Sequence, residues 1–422
     1  MTTPPKPDHE KRPFRFKLEG PFLRVSTMLL ITPISPNFKG LKCSVFGRFR
    51  ALQSRNIYGG NGIRGFFSDY NCDGQFLTVG RQGALCGNVH KINGKVWATE
   101  HAVITTPSSY TILDFLYYLL IGMDLNQYVS STAAQPGLAV GTLLNLKTCY
   151  PCSTLEQTQI SNYLNTKCSE IDVMLTKTRS SIEEYKKLKQ AVITQAVTKG
   201  VRGKREMKDS GVDYIGQIPA KWVLGKLRNV GDTQNGISKS SEFFGKGFPF
   251  VSYSDVYKNY SLPFAVSGLV ESTPEEQERY SVKEGDIFFT RTSETIEEVG
   301  FSCVCEKDIP NATFAGFLIR VRPFSDRLYT PYAKYYFRST HLRFYLVKEM
   351  NLVTRASLGQ SLLKSMPVLL PPLEEQKEIA NYLDAKCAEI DRLIAKKEQL
   401  VKELESYKKG LIYEVVTGKR EV

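Results

Sequence analysis

With 422 residues, 42% hydrophobic and 23% charged, the chain is too long for one hydrophobic core and too apolar for wholesale disorder. Its 56 Lys and Arg against 43 Asp and Glu leave a formal net charge of +13, which favours a polyanionic partner, nucleic acid being the commonest; a merely solvated basic surface is the alternative. Nine cysteines without a framework spacing and four scattered histidines (His9, His90, His101, His341) fit a reducing compartment and supply no metal cluster.

In chain order, the opening MTTPPKPDHEKRPFRF is rich in Pro and charge, unlike a secretory signal. Residues 40–110 carry short β-type runs such as GQFLTVG and WATEHAVITT, broken by Gly, Asn, Asp and Pro, as in an irregular mixed α/β domain. The longest apolar run, Ile112 to Met123, is interrupted by Asp114 and falls short of the roughly 20 residues of a membrane span, so a cytoplasmic protein is expected. Cys149-Tyr-Pro-Cys152 has the spacing of a redox or zinc half-site, but no second pair stands near it.

A long helix follows. Leu164, Ile171, Tyr185 and Val192 fall on one seven-residue track, and Cys168, Leu175, Ile182 and Ala196 on a second, four residues away. Alternating spacings of four and three are the seam of a coiled coil. The basic stretch Lys199 to Lys208 ends this helix, and Gly211 to Trp222 opens a second mixed region. Residues 223–330 again hold short β-type runs (GDIFFTRT, FAGFLIRVRP). The chain closes on another long helix with the same two tracks, Leu383, Ile390, Leu404, Leu411 and Cys387, Ile394, Val401, Val415. Polar breaks recur at Thr178 and Lys397 and at Lys189 and Lys408. Cys168 and Cys387 sit on the seam, where packing is favoured over reactivity.

Self-comparison explains the recurrence. At a constant offset of 219 positions, Tyr110 meets Tyr329, Tyr117 meets Tyr336, and EQTQISNYLNTKCSEID (Glu156 to Asp172) meets EQKEIANYLDAKCAEID (Glu375 to Asp391). The chain therefore holds two copies of one unit, each a variable head followed by a repeated rod. The heads correspond only loosely: Gly74-Gln-Phe-Leu aligns with Gly285-Asp-Ile-Phe, and the run ending at Pro107 with the one ending at Pro323.

Pro371-Pro-Leu-Glu-Glu-Gln376, Ile379-Ala-Asn-Tyr-Leu383, Glu389-Ile-Asp391, Val415-Val-Thr-Gly-Lys-Arg-Glu421 and Ile218-Pro-Ala-Lys-Trp222 resemble the conserved regions of type I restriction–modification specificity subunits. Tyr58-Gly-Gly-Asn-Gly-Ile63, Val79-Gly-Arg-Gln-Gly83 and Ala134-Gln-Pro-Gly-Leu138 are similar to a frequent target-recognition-domain pattern. The resemblance covers nearly everything from about residue 57 onward; MTTPPKPDHEK has no counterpart of the Ile-Pro-x-x-Trp motif that opens the second head. It implies an α+β chain with an internal pseudo-two-fold repeat, in which two mixed α/β target recognition domains are joined by two long helices forming an antiparallel coiled coil. The expected segments are a first recognition domain with an atypical N-terminus (1–153), a central helix (154–208), a second recognition domain (209–370) and a C-terminal helix (371–422). It further implies a DNA specificity subunit that recognises a bipartite double-stranded DNA target. The helices act as a ruler and dock two methyltransferase subunits, and nuclease–translocase restriction subunits join the assembly. No catalysis, metal or cofactor is expected of this chain; S-adenosylmethionine, ATP and magnesium belong to the partners.

Candidate DNA-contacting residues follow from side-chain chemistry. Tyr58, Asn61, Arg64, Arg81, Gln82, Lys91 and Lys95 interleave in the first head, and Thr290, Arg291, Thr292, Ser293, Arg320 and Arg322 in the second. Arg, Asn and Gln make bidentate contacts to base edges, whereas Lys, Ser and Thr mostly hold phosphates; for each residue a solvated surface position is the alternative. Gly59, Gly60 and Gly62 allow close backbone approach to DNA, or a plain turn. Leu164, Ile171, Leu175, Ile182, Leu383, Ile390, Ile394 and Val401 are the candidate helix and partner interface. The competing class is a stand-alone DNA-modifying enzyme, a methyltransferase or nuclease, but no Asn/Asp-Pro-Pro-aromatic motif or nucleotide-binding loop is present. A dimeric coiled-coil structural protein explains the rods, not the basic heads.

Overall fold

The computed structural model describes residues 23–24, 29–32, 55–83, 85–130, 136–293, 298–349 and 356–422. They form two compact units, one of Met1–Thr178 with Gln399–Val422 and the other of Arg179–Glu398. The fold is α+β, two mixed heads with two long helices. The helices span Thr154–Lys199 (46 residues) and Leu373–Val416 (44 residues), about 65–70 Å each at 1.5 Å per residue.

The first head is built on an antiparallel four-stranded sheet ordered Leu29–Thr32, Ala102–Pro107, Gln75–Gly80, Val89–Asn93. Its central strand Gln75–Gly80 is buried on both faces. Leu77 and Val79 join a cluster with Leu116 and Leu120 of the helix Leu113–Gly122, while Phe76 faces a second cluster with Ile92, Val96 and Ala98. A smaller sheet pairs Arg55–Gly59 with Gly62–Phe67 and with Trp97–Ala98.

The second head repeats this plan. Gly231–Asn235, Leu318–Pro323, Ile287–Thr290 and Ser302–Val304 form an antiparallel sheet in the same order. Ile287 and Phe289 face the cluster that holds Trp222, Tyr332 and Tyr336, and Phe288 faces the other side with Phe314. The likeness reaches residues that align with nothing in the sequence. Leu23–Arg24 pairs with Lys147–Thr148 much as Val223–Lys226 pairs with Pro367–Leu370, and Leu29–Thr32 stands where Gly231–Asn235 stands. The ladders also correct the alignment of the heads by one residue. Leu77 opposite Thr105 matches Ile287 opposite Val321, so Gln75, not Gly74, is the equivalent of Gly285.

Each rod is fastened to its head by a glutamine. Gln157 and Gln376, repeat equivalents, are buried in the first turns of the two helices. Gln157 Oε1 accepts from the Ile112 N–H (3.0 Å) and its Nε2 donates to the carbonyls of Tyr110 (3.0 Å) and Pro151 (2.9 Å). Gln376 Nε2 donates to the carbonyls of Arg327 (2.8 Å) and Pro371 (2.9 Å), but its Oε1 accepts from the Tyr329 N–H (2.8 Å). The donor changes because the repeat equivalent of Ile112 is Pro331, which has no N–H. The second head has a further clamp: the buried Trp222 donates from Nε1 to Glu375 Oε2 (3.0 Å), and Arg205 pairs with the same carboxylate while lying over the indole.

Within each unit the helix segments run in opposite directions. In the first, Ile160, Leu164, Cys168, Ile171 and Leu175 share a cluster with Leu411, Ile412, Val415 and Val416. In the second, Ile193, Ala196 and Val197 share one with Ile379, Leu383 and Cys387. Ile182 and Ile390 are also buried, whereas Ile394 and Val401 are half-buried. The seam is not a pure two-helix interface, because Phe115 and Leu119 of the first head, and Tyr332 and Tyr336 of the second, belong to these same clusters. Two of the polar breaks form ion pairs: Lys408 with Asp172 (2.7 Å) and Lys189 with Asp391 (2.6 Å), repeat equivalents of one another. Burial pushes the thiols of Cys168 and Cys387 up, away from reactivity. Among the described residues no helix is long and apolar enough to cross a membrane.

Candidate nucleic-acid interface

The central strand of each head ends in a residue held from two sides. In the first head the Arg81 N–H donates to the His101 carbonyl (2.9 Å) and the Arg81 carbonyl accepts from the Leu138 N–H (2.8 Å). In the second, the Arg291 N–H donates to the Phe317 carbonyl (2.8 Å) and the Arg291 carbonyl accepts from the Leu358 N–H (2.7 Å). The neighbouring bonds match as well. Gly80 accepts from the Gly87 N–H and donates to the Asn88 carbonyl, as Thr290 accepts from Gly300 and donates to Phe301. Gln82 bridges to Gly137, as Thr292 pairs with Ser357. The two heads therefore place an arginine at one and the same backbone node, exposed at Arg81 and half-buried at Arg291.

Around Arg81, Gln82 and Asn61 are exposed, and Asn61 Oδ1 accepts from Asn88 Nδ2 (2.6 Å). The glycine cluster has an internal cause. A Cβ on Gly60 would lie 2.9 Å from the Gln82 carbonyl oxygen, and one on Gly80 would lie 1.9 Å from that of Gly60, so the backbones of this corner touch directly. Gly62 adopts φ 88°, which side chains disfavour, as the turn requires. Arg64 is exposed and folds over Gly59, and Tyr58 is half-buried against the Phe76 cluster. Lys91 is tied to Asp114 (2.8 Å) and Lys95 lies over the Tyr70 ring, 3.9 Å from Asp73. Ala134 and Gln135 of the motif ending at Leu138 lie outside the described residues.

The second head corrects three expectations. Thr290 is fully buried and its hydroxyl accepts from the Phe301 N–H (2.9 Å). Arg320 is buried over the Phe314 ring, donating to the Ser281 carbonyl (2.6 Å) and to Gln234 Oε1. Arg322 forks onto Asp286 (2.7 and 2.6 Å), a carboxylate with no exposure. The reason is alternation: Leu318, Arg320 and Arg322 point to one face of their strand, which is the inside of the head. These side chains satisfy buried groups, not DNA. Arg291, Thr292 and Ser293 remain at the edge, and the Ser293 hydroxyl donates to Glu298 Oε2 (3.1 Å), whose other oxygen accepts from Tyr257. The Glu298 hydrogen bond raises the Tyr257 phenol above its ordinary pKa.

Sequence reasoning missed Asn88, His101, Glu298 and Phe317. His101 and Phe317 were hidden because their place follows from which backbone they accept from, not from a motif. Cys149 is half-buried and Cys152 exposed, both free thiols; among the described residues no group of three or more His, Cys, Asp or Glu is placed to hold a metal ion.

A family model described as type I restriction modification DNA specificity domain matches residues 219–404. The type I restriction enzyme EcoprrI specificity subunit of Escherichia coli is 50% identical over 94 residues, 22% of this chain and 23% of that protein. The type I restriction enzyme MjaVIII specificity subunit of Methanocaldococcus jannaschii is 28% identical over 269 residues, 63% of this chain and 60% of that protein. Alignments thus span less than two thirds of these relatives' length. A chain solved in connection with complex assembly and conformational transition of the type I R-M system has a similar fold, with TM-score 0.69 at 15% identity, covering 97% of this chain and 100% of that one.

Proposed function

We propose that the chain is a type I restriction–modification specificity subunit and the DNA-reading component of such a complex, a reading supported by the family-model match over residues 219–404. Each head reads one half of a bipartite duplex target. The observation that carries this reading is the arginine node: two heads of divergent sequence keep Arg81 and Arg291 on matching hydrogen-bonded backbone. A guanidinium at a fixed node suits bidentate contact with a guanine edge, and the flanking Gln82 and Thr292 suit adjacent polar contacts. The net charge of +13 supplies the sequence-independent attraction to phosphates.

The chain performs no methyl transfer or cleavage itself. S-adenosylmethionine, ATP and magnesium serve the partner subunits, two methyltransferases and, in the restricting form, nuclease–translocase subunits. The repeated helices support docking of two copies of one partner, because Leu188 and Tyr407 are repeat equivalents and both are exposed, at 48% and 53%.

The test replaces Arg81 or Arg291 with Ala and measures sequence preference of the complex with its methyltransferase. Each substitution is expected to cost about 1–3 kcal/mol against the preferred base in the half-site of its own head only. A loss uniform across all sequences, with a shallower salt dependence, would assign the residue to phosphate. Unchanged binding by both variants would remove the node from the interface.

A further inference from the structure

We propose that Phe317, and His101 at the equivalent place in the first head, are the residues that make the two heads read different bases beside their shared arginine. The inference rests on the DNA-reading function proposed above and adds residues that neither composition nor motif singled out.

Position comes first. His101 and Phe317 are the acceptors of the Arg81 and Arg291 N–H groups, so each stands directly across the backbone from its arginine. Strand pairing agrees: the residue after each, Ala102 or Leu318, is opposite Gly80 or Thr290. The arginine is the same in both heads and the residue facing it is not, one an imidazole and the other a phenyl ring.

Rigidity comes second. The turn that carries Phe317 is tied by Ala315 N–H to the Val251 carbonyl (3.0 Å), Gly316 N–H to Ile237 (2.7 Å) and Leu318 N–H to Ala315 (2.9 Å). A Cβ on Gly316 would lie 2.3 Å from Ser238 Oγ, so the turn is packed against its neighbour. Yet the Phe317 side chain is 64% exposed, while Phe314, three residues earlier, is fully buried. A lone exposed phenylalanine is ordinary on a protein surface. One carried on a tied turn, directly across from an arginine that ends the central strand, presents an apolar surface at a defined place on the backbone.

The chemistry then differs between heads. In a major groove the apolar feature of a base edge is the thymine 5-methyl group, and a phenyl ring packs on it where an imidazole instead offers a hydrogen bond. Phe317 thus selects a thymine next to the base pair read by Arg291, and His101 selects a polar base edge next to the one read by Arg81.

The experiment uses the full chain assembled with its methyltransferase subunits on duplexes whose second half-sequence is randomised. Phe317→Ala, and Phe317→Leu as a milder second variant, are expected to weaken discrimination at one thymine by about tenfold and by less, respectively. The first half-sequence is expected to be untouched. Replacing that thymine with deoxyuridine, which lacks only the methyl group, is expected to cost the unaltered complex the same tenfold and Phe317→Ala nothing further. Identical discrimination by variant and unaltered complex at every position, or a uniform loss across all sequences, overturns the inference while leaving DNA reading intact. An unaltered complex with no bipartite preference overturns both.

Discussion

Leu383→Asp is expected to destabilise the second unit strongly, and Leu164→Asp the first. Both leucines have no exposure and are repeat equivalents. Leu383 shares a cluster with Ile379, Cys387, Trp222 and Tyr332, and Leu164 one with Phe115, Ile171 and Leu411. A carboxylate at either place loses its hydration without gaining a partner, at a cost of about 3–5 kcal/mol or more. That is comparable to the roughly 5–15 kcal/mol that holds a domain together. Because the clusters join head to helix, the damage is expected to reach the head, so DNA preference in the matching half-site and methyltransferase assembly fail together. Leu188→Asp, on an exposed position of the same helix, is expected to change stability by no more than about 0.5 kcal/mol. Denaturant unfolding of the three variants checks this; a native-like midpoint for Leu383→Asp would contradict the packing described.

Arg338→Ala is the second large effect. This guanidinium donates to four backbone carbonyls, those of Ser302 (2.6 Å), Val256 (2.7 Å), Tyr257 (3.1 Å) and Asn259 (2.7 Å). It lies between the rings of Tyr260 and Phe301, with centroids 4.7 and 5.0 Å away. No carboxylate is among these partners, so burial is the main influence on it and lowers its pKa. Truncation strands several carbonyls and removes the stacked plane, which is expected to cost about 3–5 kcal/mol. Arg338→Lys keeps the charge but not the planar fork, and is expected to recover only part of the loss. The measurement is again the denaturation midpoint, with DNA preference of the surviving folded fraction unchanged. A variant that stays fully stable but loses the second half-site would instead make Arg338 a DNA contact.

The rods were legible because repetition and a seven-residue period are properties of sequence alone. Leu164 and Leu383 could be placed on a seam without knowing that Phe115 or Tyr332 completes their clusters. The heads were less legible, since strand order depends on pairing partners that share little identity. An alignment on Gly74 and Gly285 looks natural, yet the ladders move it by one residue. Charge misled at Arg320 and Arg322, where the deciding fact is a buried Asp286 and the Ser281 carbonyl on the inner face. Phe314 and Phe317 read alike in FAGF; only the turn at Gly316 separates a core ring from an exposed one.

In the proposed function, two heads of one chain direct methylation by partner subunits to two half-sequences. The most direct measurement sequences the methylated positions left on random duplex DNA by the methyltransferase subunits with and without this chain, and by the chain alone. One bipartite motif is expected, two short defined sequences separated by a fixed unspecified spacer, present only when both components are together. Methylation by the chain alone, or a motif that is the same with and without it, would show that the two heads do not direct the methyltransferase.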